Sequence, residues 1–198
     1  MYRITLIITL VFSLSLFITE KAFAQRYLPG QKGIQITASA VDGFKLSKGD
    51  GQAFALGIGT ATYNKSGSRW IFAAEYLQKQ YDYSSRYVPL SQFTGEIGYY
   101  KKFLSDYSKT FFFSIGGASA MSGYETVNWG GKKELKDGAT LTNKDKFLYG
   151  GGAIGLEIEI FFTDRMILLI YARERFLPSS TIGKFHFQAG VGIKFIIN

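Results

Sequence analysis

With no cysteine and one histidine in 198 residues, the chain can form no disulfide, thiolate metal site or thiol nucleophile. One imidazole is also too few for an ordinary zinc site, and no cofactor is implied. The formal charge of +8 rests on lysines dispersed through connections, among them Lys45, Lys48, Lys65, Lys109, Lys132, Lys133, Lys136, Lys144 and Lys146. Dispersed charge of that kind forms no basic track, so direct nucleic-acid binding is not expected.

The chain opens on a short basic start, Met1-Tyr2-Arg3, then an apolar run over 4–18, then Ala22-Phe23-Ala24. That order reads as a secretory signal peptide over 1–24, cut before Gln25. A membrane anchor is the alternative, but the run is short of the ~20 residues a spanning helix needs. No Cys follows the cut, so lipid attachment there is excluded. Later in the chain the most apolar stretch, 154–171, is broken by Glu157, Glu159, Thr163, Asp164 and Arg165. No helix there could cross a bilayer.

Residues 25–32 form a short segment, expected in the periplasm, and 33–198 read as one domain of eight strands. The strands are expected over 33–41, 52–63, 69–81, 92–103, 110–122, 147–162, 166–176 and 184–197. The second is the most telling. Phe54, Leu56 and Ile58 alternate with Ala53, Ala55, Gly57, Gly59 and Ala61, with no charge on either side. Period-two alternation puts these two sets on opposite faces. A soluble sheet would show a polar face to water; a barrel wall facing lipid would not. The eighth strand repeats the pattern, with Phe185, Phe187, Ala189, Val191, Ile193, Phe195 and Ile197 on one face. Lys184, His186, Gln188, Gly190, Gly192 and Lys194 lie on the other.

Connections alternate in length. Those after the second, fourth and sixth strands are short (64–68, 104–109, 163–165), and the rest are longer, the largest being 123–146. Outer-membrane barrels carry tight periplasmic turns and longer external loops. With the mature N-terminus in the periplasm, every short turn falls there. Trp70, Phe103, Phe111, Phe162 and Phe195 then lie near the periplasmic ends. Phe54, Tyr81, Phe93, Phe147, Tyr149, Phe176 and Phe185 lie near the outer ends, which makes two interfacial belts. The fold class is an all-β, eight-stranded antiparallel transmembrane outer-membrane β-barrel of the small OmpA/OmpX-like kind, located in the cell outer membrane with its lipid as first partner.

The interior of such a barrel is just wide enough for side chains. The inward register offers Glu75, Lys79, Glu96, Lys102, Glu157, Glu159, Arg173 and Arg175. The short turn at 163–165 is expected to set Glu157 and Glu159 against Arg173 and Arg175 as interior ion pairs, since buried charge survives when paired. Flanking arginines would keep both carboxylates ionised, which argues against an acid–base pair and for a chain that is not an enzyme. Glu174 falls in the lipid-facing register and is expected at the outer rim. His186 has no Ser or Asp at a recognisable catalytic spacing and reads as a polar filler. Gly150-Gly151-Gly152 lacks the Lys-Ser/Thr and helix of a phosphate loop and reads as tight barrel wall. Tyr124 and Trp129, placed in the long 123–146 loop, are candidate partner anchors. Tyr27, Leu28 and Pro29 are a candidate docking segment for a periplasmic protein.

The segment 25–35, Gln-Arg-Tyr-Leu-Pro-Gly-Gln-Lys-Gly-Ile-Gln, followed by Val41-Asp42-Gly43-Phe44, resembles the TraO family of Bacteroidetes conjugative transposons. The resemblance runs on through Gly95-Glu96-Ile97-Gly98-Tyr99-Tyr100 and the Gly-rich sixth strand. It implies a part in conjugal DNA transfer within a mating apparatus related to type IV secretion, with other conjugal transfer proteins as partners. It carries over no catalytic residues. A barrel this narrow is expected to anchor or scaffold that machinery rather than conduct DNA. The alternative is a general small barrel for adhesion or envelope integrity.

Overall fold

The structure, a computed structural model, describes residues 28–42, 52–83, 86–107, 110–129, 145–181 and 183–197, with 131, 134, 138 and 140. The expected signal peptide, Tyr27 and most of the loop lysines lie outside these residues. Eight strands form one closed antiparallel barrel in which each pairs with its sequence neighbours and the last pairs with the first. They are β1 (Lys32–Val41), β2 (Ala53–Tyr63), β3 (Arg69–Tyr83), β4 (Arg86–Ser105), β5 (Phe111–Val127), β6 (Asp145–Phe161), β7 (Met166–Phe176) and β8 (Phe185–Ile196). Closure leaves no strand edge, the condition for a sheet to cross hydrocarbon. Among the described residues no helix is long and apolar enough to cross a membrane.

Both described termini lie at one end of the barrel with the β2–β3, β4–β5 and β6–β7 turns; we call this the turn end. The opposite, loop end carries the remaining connections. Alternation sorts the side chains as the sequence suggests. In β2, Leu56 and Ile58 face out with 52% and 58% exposure, while Ala55 and Ala61 are buried. Ile36, Phe72, Ile154, Phe187 and Val191 are likewise at least half exposed. A continuous apolar outer wall of this kind is far larger than the patches that soluble monomers show to water. Hydrocarbon is the solvent it fits.

Two expected connections are shorter than the sequence suggests. The β3–β4 ladder continues to Tyr83 opposite Arg86, so the region after residue 81 is an extended hairpin and not a loop. Tyr81, Tyr83, Tyr87 and Val88 are residues that favour strands, and they carry the ladder past Pro89. Likewise β5 runs to Val127 and β6 starts at Asp145, so Tyr124 sits in a strand and not in the long loop. The β4–β5 ladder slips between Lys102 and Leu104. Such a bulge re-aims side chains, and here Phe103 and Leu104 are both well exposed. The β5–β6 ladder slips on either side of Met121, which pairs with Gly151; the neighbouring Gly150 has a φ of 70°, which suits glycine.

One register expectation is corrected. Phe162 N donates to Met166 O (3.0 Å) and Phe161 stands opposite Ile167. Counting back through that tight turn sets Glu157 against Tyr171 and Glu159 against Leu169. Arg173 and Arg175 stand opposite Gly155 and Ala153 instead, one inward position and more beyond the two glutamates.

Candidate functional site

All four of those charged residues are buried in ion pairs, but with other partners. Near the turn end, Arg69 opens β3 and points inward with Ile71, Ala73 and Glu75 of the same strand face. Its Nη1 donates to Glu159 Oε2 (3.1 Å) and Ser114 Oγ (3.1 Å), and its Nη2 pairs with Glu157. From β8, Lys194 Nζ donates to Glu159 Oε1 (2.5 Å) and to the Tyr63 hydroxyl (3.0 Å), while Tyr63 donates to the same Glu159 oxygen (2.7 Å). The Arg69 guanidinium lies over the Tyr100 ring at 5.0 Å. Two cations and two anions thus share one cage. Tyr63, Ile71, Tyr100, Phe112, Ile167, Leu169 and Ile196 form a buried apolar cluster around it.

Toward the loop end is a second cage. Arg173 Nη2 pairs with Glu75, Nη1 donates to Glu96 Oε1 (2.7 Å), and Nε to Gln188 Oε1 (2.6 Å). Arg175 Nη1 donates to Glu75 Oε1 (2.5 Å) and Nη2 to Thr94 Oγ1 (2.9 Å). Gln188 Nε2 adds a third donor to the Glu75 carboxylate, on Oε1 (2.9 Å). This cage also balances two cations against two anions. A lumen cavity lined by residues of both cages, Glu157 and Arg173 among them, holds about 20 Å³, room for roughly one water.

At the loop end the polar stack continues. His186 is 1% exposed, with Nδ1 against Asp42 Oδ2 (2.8 Å) and Nε2 against the Gly183 carbonyl (3.0 Å). Asp42 also accepts from Lys79 Nζ (2.9 Å) and from Phe187 N (3.2 Å). Burial pushes the Asp42 carboxyl up, but the bonds and charges of His186 and Lys79 outweigh it and hold the group down at about 2. Glu125 is buried in a fourth polar group with Gln92, Ser180 and the Thr181 amide. Among the described residues no group of three or more His, Cys, Asp or Glu could hold a metal ion.

The remaining expected site residues are scattered. Glu174 faces outward at partial exposure, two residues from the loop end of β7. Leu28 is 63% exposed and Pro29 is exposed, on a turn pinned to the barrel by Gly30 N donating to Tyr63 O (2.8 Å). Tyr124 packs edge-on against Phe147 with ring centroids 5.5 Å apart. Trp129 is 64% exposed, yet folds back onto the outer wall against Phe93 at 5.1 Å and Tyr76 at 6.2 Å. The sequence reading missed Arg69, Tyr63, Glu125 and Gln92 as interior groups. Strict alternation back from Glu75 would have found Arg69.

The fold is similar to that of Neisserial surface protein A, with 15% identity over 84% of this chain and 97% of that one and a TM-score of 0.52. It also aligns with the attachment invasion locus protein Ail of Yersinia pestis, solved with the heparin analogue sucrose octasulfate (12% identity, 85% and 100% covered, TM-score 0.48). A third similar structure is outer membrane protein OprG of Pseudomonas aeruginosa (13% identity, 88% and 98% covered, TM-score 0.46). No functionally curated protein matches the chain in sequence. The profile of the conjugative transposon protein TraO matches residues 28–197. The chain therefore belongs to the TraO family of conjugative transposon proteins.

Proposed function

We propose that the protein is an outer-membrane anchor or scaffold for the conjugal transfer machinery, without catalytic activity and without conducting DNA itself. The observation that carries this reading is the filled lumen. Arg69, Lys194, Glu157 and Glu159 close one level and Arg173, Arg175, Glu75 and Glu96 the next, leaving about 20 Å³ between them. A DNA strand would have to displace both cages and expose their charges unpaired, which is costly in a low-dielectric interior. Engagement of both His186 ring nitrogens supports a structural role for that residue.

The apolar outer wall supports insertion in the outer membrane, with the turn end and both termini in the periplasm. Ile58→Lys near mid-wall should then cost about 2–4 kcal/mol of folding stability in lipid. Leu28, exposed on a turn fixed to the barrel, gives a periplasmic partner something to hold. Periplasmic or outer-membrane conjugal transfer proteins are the expected partners.

The test is mating frequency in a clean deletion, restored by the wild-type chain. Loss of transfer with intact membrane insertion is expected from Leu28→Asp. Normal transfer in the deletion strain would defeat the reading in favour of a general adhesion or envelope role. Large, stable conductance from the purified barrel in planar bilayers would defeat the non-conducting half of it.

A further inference from the structure

Charges on the outward face of the wall are few, and they are sorted by sign. At the turn end β1 opens on Lys32, and β4 carries Lys101 two residues past Tyr99. Both are exposed, and both fall in the register of the lipid-facing side chains. At the loop end that register holds Asp145 of β6 and Glu174 of β7 and, among the described residues, no cation. The two lysines flank a tryptophan. Lys32 stands opposite Thr62, Thr62 opposite Trp70, and Trp70 opposite Tyr99, all in one row of the sheet. At a strand spacing of about 4.8 Å, the backbones of both lysines lie within roughly 10 Å of Trp70, one on each side.

Trp70 is 47% exposed and its ring lies 5.1 Å from that of Tyr99, whose hydroxyl accepts from Asn64 Nδ2 (3.3 Å). The Trp70 indole N–H and the two ammonium groups have no partner among the described residues. Asp106, the acidic residue just past β4, accepts from the Phe111 amide (2.8 Å) and forms no ion pair with Lys101. We propose that Lys32, Trp70 and Lys101 form a site for the headgroup of an anionic phospholipid, with the ammonium groups and the indole N–H as donors to its phosphate.

Position selects lipid over an acidic protein. The next outward row toward mid-wall is Ile34, Thr60, Phe72 and Ile97, so the acyl chains of a lipid held there lie against wall that already faces hydrocarbon. Its headgroup falls at the edge, where aromatic rings and long cationic side chains settle. A soluble partner would have to enter that layer, whereas the lipid is already in it. With the turn end in the periplasm, the orientation proposed above, the leaflet met is the phospholipid one. Interfacial anchors set the depth and tilt of a membrane protein, and here the anchored strand leads straight back to the turn that carries Leu28.

The chain has two tryptophans, Trp70 at the turn end and Trp129 against Phe93 and Tyr76 toward the loop end, so the test carries its own control. The mature barrel with Trp129→Phe is placed in phosphatidylcholine vesicles containing brominated phosphatidylglycerol or brominated phosphatidylcholine. Quenching of Trp70 then gives the relative affinity of the two lipids. At low salt phosphatidylglycerol should win by about fivefold for each lysine engaged. Lys32→Gln combined with Lys101→Gln should bring the ratio near one. Salt at about 0.5 M should do most of the same without those substitutions, and serves if the double variant does not fold. The reverse barrel, Trp70→Phe, should show no preference at Trp129. Inorganic phosphate at matched ionic strength should displace the lipid no better than chloride. Equal quenching by the two lipids at Trp70 overturns the site, and an undiminished preference in the double variant overturns the lysines. An equal preference at Trp129 overturns its place at the turn end, and displacement by phosphate beyond chloride overturns the headgroup as occupant. Quenching in such vesicles depends on neither orientation nor conjugal role, so its failure and that of the scaffold proposal are distinguishable.

Discussion

The two charge cages have the same composition in charge, two cations on two carboxylates, but they sit in different surroundings. The cage near the turn end has Arg69, Lys194 and Glu159 all at 0% exposure inside a shell of Tyr63, Tyr100, Phe112 and Leu169. In the cage toward the loop end Arg173 and Glu96 keep 8% and 10% of their side chains accessible, and the Gln188 amide joins the Thr94 hydroxyl in sharing the load, where the first cage uses the hydroxyls of Ser114 and Tyr63. A buried ion pair is weak evidence for stability, since desolvation offsets its attraction, but a broken one strands a charge. The stranded charge costs most where neutral polar groups and water are farthest away. The dry cage should therefore be the rigid one and the mixed cage the forgiving one.

The largest effect should come from Glu159→Leu. It leaves Arg69 and Lys194 to share Glu157, which lies 3.6 Å from Lys194 Nζ, and removes the acceptor for Tyr63, so one buried positive charge is left uncompensated and the cost should be about 3–5 kcal/mol. Urea titration of the barrel in micelles, followed by the gel shift between folded and unfolded forms, reads this directly. Adding Lys194→Met should recover most of the loss, because Arg69 then retains Glu157 and no net charge is left behind. If the double variant is no better than the single, the cage acts through its hydrogen bonds and not its charge balance.

Next comes Glu75→Gln in the mixed cage. Arg173 keeps Glu96 and Gln188, and Arg175 keeps Thr94, so the loss should be about 1.5–3 kcal/mol, that of bonds to charged groups. A cost equal to that of Glu159→Leu would erase the distinction between the two levels.

That distinction was invisible in the sequence, whereas the wall was not. Lipid on one side and packed side chains on the other leave the outward faces of β2 and β8 with no charge, so strands, closure and class followed from residues such as Phe54, Leu56, Phe187 and Val191. The interior pairing did not follow. Arg69 finds Glu157 from 88 positions away and Arg173 finds Glu75 from 98, distances set by how the whole sheet staggers on closing. The hairpin at 163–165 offered a local pairing of Glu157 and Glu159 with Arg173 and Arg175, and the ladder missed it by one inward position. Strand ends expected at 81 and 92 left a loop where a ladder rich in tyrosine continues. The bonds of Ser180 to Gln92 and Glu125 were beyond reach for the same reason as the cages, since no local pattern announces a chain reaching across the barrel.

The smallest effect is expected outside both cages, at Asp42, which lies just past β1 with a partly exposed side chain. Its carboxyl is held at about 2 against an ordinary 3.8, so its contribution is present above the ordinary value and lost as pH falls from about 4 toward 2. Within that window the wild-type barrel should lose a little stability that Asp42→Asn does not, because the amide cannot titrate and lacks the pull on Lys79 and His186 at every pH. Near neutral pH the variant should already sit at the wild type's acid level. Parallel urea midpoints at several acidic pH values measure the difference. A variant that tracks the wild type through the window would place the acid sensitivity of this end elsewhere.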